Sequence, residues 1–282
     1  MGYKPSPRPV FDRPTAIPYA NVTRHLWGDA ESGEVDDWIY VSSGKIHQLV
    51  FGLEPGGAFR HSEAFRTVFG ADEVLYVLEG QFGCANPETG ELHVVNPGEA
   101  VFFRKDTWHH GFNLSTKPLR VLEFFAPPPS TGASGAYAKT RPALTANRYC
   151  RDELIGQWPL NAAHAAETDT MKVLRDGDLL WRFEGARQQM LVGLCAATEH
   201  LTSGKARLLP GQKSDYHSHG GDEGLYVTSG VLNVQTPDAE GQVWFELNPR
   251  DGFYVPAGQP HRYCNLTSEP VEFLFGVAPR YS

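Results

Sequence analysis

Four cysteines in 282 residues (Cys84, Cys150, Cys195 and Cys264) lie far apart and form no Cys-x-x-Cys. That excludes a disulfide scaffold and a thiolate metal knuckle, and it suits a reduced, cytoplasmic setting. No apolar run approaches the roughly 20 residues that a membrane-spanning helix needs. Basic clusters are missing too. Lys plus Arg number 25 against 33 for Asp plus Glu, a formal charge of −8, which is a poor basis for binding a phosphate backbone. The opening residues carry Pro5 and Pro7 where a signal peptide needs an apolar stretch. The expectation is a cytoplasmic protein that engages neither membrane nor nucleic acid.

What is present is turn-forming residues, 29 Gly and 21 Pro, spread among short apolar runs. Many brief strands punctuated by turns predict an all-β architecture. Strand-like runs include Glu73–Leu78, Ala100–Phe103, Leu119–Phe125, Gly224–Thr228, Gly252–Val255 and Val271–Val277. Prolines at 5, 7, 9, 14 and 18 make the opening stretch to about Asp29 irregular in expectation, an arm free to lie over another surface. A second break follows Pro127, and Arg151–Leu160 and Ala162–Ala166 read as short helices in a long connection.

The later strands repeat the earlier ones. Asn96-Pro97, His109, Asn113-Leu114, Pro118 and Ala126-Pro127 recur as Asn248-Pro249, His261, Asn265-Leu266, Pro270 and Ala278-Pro279, each 152 residues on. Glu73-Val-Leu-Tyr-Val and Gly80 recur as Glu223-Gly-Leu-Tyr-Val and Gly230 after 150. The chain is a tandem duplication: an arm (1–35), a first unit (36–127), a connection (128–177) and a second unit (178–282).

One constellation carries chemistry. The second unit reads Gly211-Gln-Lys-Ser-Asp-Tyr-His217-Ser-His219-Gly-Gly-Asp-Glu223, then Pro256-Ala-Gly258-Gln-Pro-His261-Arg-Tyr-Cys-Asn265. Alternation along a strand places His217 and His219 on one face. Glu223 opens the next strand and His261 arrives from another, so three imidazoles and a carboxylate make a mixed nitrogen and oxygen set that suits a first-row divalent metal. Gly211, His217, His219, Glu223 and Gly230 resemble the first motif of the cupin superfamily, and Pro256, Gly258, His261 and Asn265 its second. Arg250 stands where that second motif usually begins with glycine. With two units the chain resembles the bicupins, and its complete site resembles the quercetin dioxygenase type. The resemblance implies two double-stranded β-helix (jelly-roll) barrels joined by a short helical connection.

The first unit departs from the pattern. Counting forward from Gly56 finds His61 and Glu63; counting back from Glu73 puts Thr67 and Phe69 at the expected histidine positions. Arg104-Lys-Asp106 replaces Pro-x-Gly, while His109 and Asn113 are retained. A second site from His61, Glu73 and His109 is one reading; a unit kept for packing is the favoured one. His110 is read as a hydrogen-bonded or exposed residue, and Trp181 and Trp244 as core or inter-unit surface.

The expected function is a metal-dependent enzyme with one divalent ion per chain, Fe(II) first, with Mn(II), Ni(II) or Zn(II) as alternatives. His217, His219, Glu223 and His261 would hold it, and Glu223 would double as the proton acceptor. A dioxygenase acting on a small aromatic, enol or diketone-like substrate leads. A non-redox lyase, isomerase or decarboxylase and a non-catalytic ligand binder are the alternatives. A homodimer clasped by the arm is a further expectation.

Overall fold

In the computed structural model, residues 6–62, 65, 68–127 and 141–282 are described. Glu63, Thr67 and the Pro128–Gly132 break lie outside them. The architecture is four β-layers. Each unit pairs one seven-stranded sheet with a smaller sheet, of four strands in the first unit and three in the second. These are facing jelly-roll sheets with open edges, not closed barrels.

The seven-stranded sheets form the two middle layers, and this explains their sequences. The strand His47–Leu53 is buried at every position, because one face meets the unit's own small sheet and the other meets the second unit. Val35, Ile39, Phe51, Leu75 and Val121 fill the first unit together with Phe59 and Phe82. Val192, Leu225, Phe253 and Phe273 fill the second with Leu232 and Phe245. The intervening positions, Trp38, Tyr40, Val50 and Phe124 from one sheet and Tyr226, Tyr254 and Leu274 from the other, make the core between the units. Each fully buried side chain of this size contributes about 1.5–3 kcal/mol. Phe124 lies directly on the second unit's Gly276, where an added Cβ would come within 2.6 Å of its ring.

The arm and the connection differ from the irregular segments that their prolines predict. Thr23–Asp29 is a regular strand paired to Gly33–Ser42, and it begins only after the last proline of the arm. Thr15–Ile17 pairs with Gly252–Val255, at the edge of the second unit's large sheet. The arm therefore lies on its own chain's second unit. In return, Met171–Leu174 of the connection pairs with Ala100–Phe103 of the first. Of the two expected helices, Ala162–Thr168 forms. Arg151–Leu160 yields only a single turn at Asp152–Leu154, since Gly156 and Pro159 interrupt it.

Trp181 and Trp244 are not core: they are 37% and 49% exposed. Their indole N–H groups donate to Asp176 O and Asn233 Oδ1, an amphipathic use of tryptophan at a sheet rim. Among the described residues no helix is long and apolar enough to cross a membrane.

Candidate metal centre

The two motifs of the second unit are tied together through the backbone before any side chain is considered. His217 and His261 exchange both N–H···O bonds at 2.9 Å, and Gly258 N–H donates to His219 O at 2.7 Å. The expected His217–His219 strand is reduced to this isolated bridge. The reason is local: the Asp215 carbonyl accepts from Ser214 Oγ and His217 Nδ1 in place of a neighbouring strand.

All three imidazoles are oriented in the same way. His217 Nδ1 donates to Asp215 O at 3.0 Å, His219 Nδ1 to Tyr281 O at 2.6 Å, and His261 Nδ1 to Gln259 O at 3.0 Å. An Nδ1 proton spent on a carbonyl leaves Nε2 of a neutral ring as a lone pair, the arrangement a metal-binding histidine needs. The carbonyls are themselves held. Asp215 is pinned by the backbone N–H groups of Ala186, Arg187 and Gln188, and the Tyr281 hydroxyl donates to Glu184 Oε2 at 2.5 Å. Burial, helped by neighbouring His261, holds His217 down at about 4, so its lone pair is available at neutral pH. Ending the chain at Arg280 is expected to free the His219 ring and weaken metal binding about 10–100-fold. Competition with a chromogenic chelator measures this; unchanged affinity would remove Tyr281 from the site.

The carboxylate completes the set. Glu223 is 2% exposed; its Oε2 lies 3.1 Å from His261 Nε2 and 3.7 Å from His219 Nε2. Burial opposes its ionisation, but His219 and His261 when they carry a proton, together with the Tyr263 hydroxyl, outweigh burial and hold the carboxyl low. Oε2 is buried without a hydrogen-bond partner. The histidine nitrogens lie within 4.8 Å of one another. Three lone pairs and an unpartnered carboxylate oxygen facing one small space are what a divalent cation satisfies. The residues present therefore fit the ion that the resemblance implies.

Tyr263, two residues beyond His261, was not singled out by the sequence. Its hydroxyl donates to Glu223 Oε1 at 2.7 Å and lies 3.1 Å from His261 Nε2. Burial and then the Glu223 carboxylate push this phenol far up, so it keeps its proton. Alternation from His261 along the strand Arg262–Cys264 was the available signal. Asn265, which ends the second motif, stays away from the cluster. Its amide bridges Leu208 O and Glu269 O, and Asn113 bridges Leu53 O and Lys117 O in the same way.

Among the described residues the first unit builds no such cluster. Asp106 N–H donates to Phe69 O at 2.7 Å, the counterpart of Gly258 and His219, and Asp106 takes the left-handed φ of 65° that the loop requires. The register counted back from Glu73 is therefore the right one, and Phe69 occupies the place of His219. His109 is ringed by Phe59, Phe69 and Phe103, with Glu73 Oε2 at 3.7 Å. His61 lies elsewhere, with its Nδ1 on His110 Nε2 at 2.6 Å. Buried His110 in turn reaches the Tyr149 hydroxyl at 2.8 Å. His61, Glu73 and His109 thus do not converge. A third grouping, Glu91, His93 and Asp169, has both Glu91 oxygens engaged by Thr170 and Met171 and Asp169 Oδ1 by Arg151; it clamps the connection to the first unit.

Two jelly-roll units, one bringing three histidines and a glutamate together, define a double-domain architecture with one candidate metal site. A profile of the cupin domain matches residues 49–125 and 204–277, so the chain belongs to the cupin family and is a bicupin. No curated protein matches it in sequence. Among solved structures it is similar to a protein from Pseudomonas aeruginosa described as glyoxylate-induced (14% identity, TM-score 0.66, covering 99% of this chain and 96% of that one). It is also similar to the oxalate decarboxylase of Lactobacillus farciminis in its formate complex (14%, 0.61, 98% and 89%). A third is the Bacillus subtilis oxalate decarboxylase studied for its Mn(II) centres (15%, 0.58, 98% and 80%).

Proposed function

We propose that the second unit holds one divalent transition-metal ion through His217, His219, Glu223 and His261 and uses it in a reaction of a small organic substrate, with Fe(II)-type dioxygenation the leading reading. The observation that carries this is the convergence of the three imidazoles, with ring nitrogens within 4.8 Å of one another, beside the unpartnered Glu223 Oε2, which lies 3.1 Å from His261 Nε2 and 3.7 Å from His219 Nε2. A bound ion of this kind supplies Lewis acidity and, for a redox metal, a meeting point for substrate and O2. The protein's own residues do the rest. The three carbonyls fix the imidazoles, and the apolar interior around Phe253, Phe273 and Phe275 excludes bulk water. Glu223, ionised at neutral pH, is the proton acceptor nearest the cluster.

A non-redox, Mn(II)-dependent reading draws support from the similarity to the oxalate decarboxylases. It is weakened by the first unit, where phenylalanine stands at a ligand position. Metal analysis of gently purified protein should find about one transition-metal ion per chain. An aerobic and anaerobic screen of catechols, flavonols, β-diketones and hydroxy-aromatic acids should then give O2-dependent turnover. Turnover without O2 would move the assignment to lyase or decarboxylase chemistry, and protein that retains no metal would sink both readings.

A further inference from the structure

Tyr263 supplies the one hydroxyl proton recorded within hydrogen-bonding distance of the ligand cluster among the described residues. Its oxygen stands 2.7 Å from Glu223 Oε1 and 3.1 Å from His261 Nε2. A phenol has a single proton to give. The shorter, charge-assisted contact to the carboxylate takes it, so the Nε2 contact is one lone pair facing another. The two oxygens of Glu223 are therefore not equivalent. Oε1 is engaged by Tyr263, while Oε2 is unpartnered and turned toward His219 and His261.

The comparison between repeats sharpens this. Offset by 152 residues, Tyr263 corresponds to Gly111. There the ring of Phe59 fills the space so closely that an added Cβ would fall 2.1 Å from it. The unit that replaced a ligand histidine with Phe69 also lacks this phenol, and the unit that keeps three histidines has it. A residue present only for packing has no reason to follow the ligands. Tyr263 does pack on Phe273, with ring centroids 4.7 Å apart, but phenylalanine would pack as well.

We infer that Tyr263 is a positioning residue: by occupying Oε1 it makes Glu223 a one-oxygen ligand and keeps a coordination position open for substrate. The inference rests on reading His217, His219, Glu223 and His261 as the metal site. Without the hydroxyl, Glu223 is free to rotate and close on the ion with both oxygens, taking the position a substrate needs.

The test uses the full chain loaded with Co(II), whose visible spectrum reports coordination number, and azide as a small exogenous ligand. Wild type and Tyr263→Phe should each bind one Co(II) per chain. The variant should show a shifted Co(II) spectrum and about tenfold weaker azide binding, the scale expected for loss of an outer-shell partner. Replacing Tyr263 with 4-aminophenylalanine keeps a donor in the same volume and should restore both readings, whereas 4-methylphenylalanine should not. That pair decides the matter even if Tyr263→Phe folds poorly. Identical spectra and azide affinities with and without the donor would overturn the positioning role while leaving the metal site standing. Failure of wild type to bind Co(II) would overturn the metal reading, and this inference with it.

Discussion

His261→Ala is expected to lower metal affinity by roughly 100-fold or more, beyond the 10–100-fold cost of losing an outer-shell partner, while both units stay folded. The imidazole is fully buried, and its removal takes away one of four donors. The backbone pairing of His261 with His217 does not depend on the side chain. The remaining cost is a small cavity, about 2 kcal/mol at the lower end of large-to-small core substitutions. His109→Ala is the matched control. It removes the equivalent residue of the first unit, caged by three phenylalanines, and should leave metal content unchanged. Metal analysis beside a thermal melt separates ligand loss from unfolding. A full equivalent of metal in His261→Ala would sink the assigned ligand set.

The second large effect lies in the first unit's interior, where Glu123 and Asp37 stand at positions that Phe275 and Val192 fill in the second, offset by 152 and 155 residues. Both are buried, as is Glu73. Burial raises all three carboxyls, and their mutual repulsion adds to this for Asp37 and Glu73. Glu123 is pushed up to about 7, burial being the main cause, and titrates together with Glu73. A carboxyl held above its unfolded value stabilises the fold fully below about pH 4.5 and loses that contribution as pH rises through about 7. A rise from 4.5 to about 7 corresponds to about 3 kcal/mol. Glu123→Gln keeps the shape and removes the ionisation. It should match wild type in thermal stability near pH 4.5 and exceed it at pH 8 by on the order of 5 °C. Buried His47 and His109, held down to about 3 and about 4 chiefly by burial, pull the other way, losing stability as pH falls below their usual range. Comparing variant with wild type at each pH cancels that slope. A Glu123→Gln difference that is the same at both pH values would discount the carboxyl pair.

The sequence exposed the duplication and the four ligand candidates because both rest on fixed spacing. His217, His219, Glu223 and His261 sit at the fixed motif spacings, although what ties the two motifs together is the backbone pairing of His217 with His261 and of Gly258 with His219, not a regular strand. Other features had no local signature. The ambiguity between His61 and Phe69 was settled only by a hydrogen bond from Asp106, more than thirty residues downstream. Tyr281 and Asp215 act through main-chain carbonyls, which residue type does not reveal. Glu123 shares its strand face with Val121 and Phe125, so alternation carries it inward, but nothing local reveals that the buried carboxyl of Glu73, from another strand, lies beside it.

The two borrowed strands bear on how such a chain can change over time. Thr15–Ile17, encoded before the first repeat, finishes the second unit's sheet, and Met171–Leu174, encoded between the repeats, finishes the first. Neither repeat is thus a portable module. Excised at its sequence boundaries, each would bare a row of unpaired main-chain groups along Gly252–Val255 or Ala100–Phe103, an edge prone to pairing with other chains. Each unit therefore depends for a finished sheet on a segment that lies outside it in sequence, so a cut at either boundary removes or detaches an edge that the fold uses.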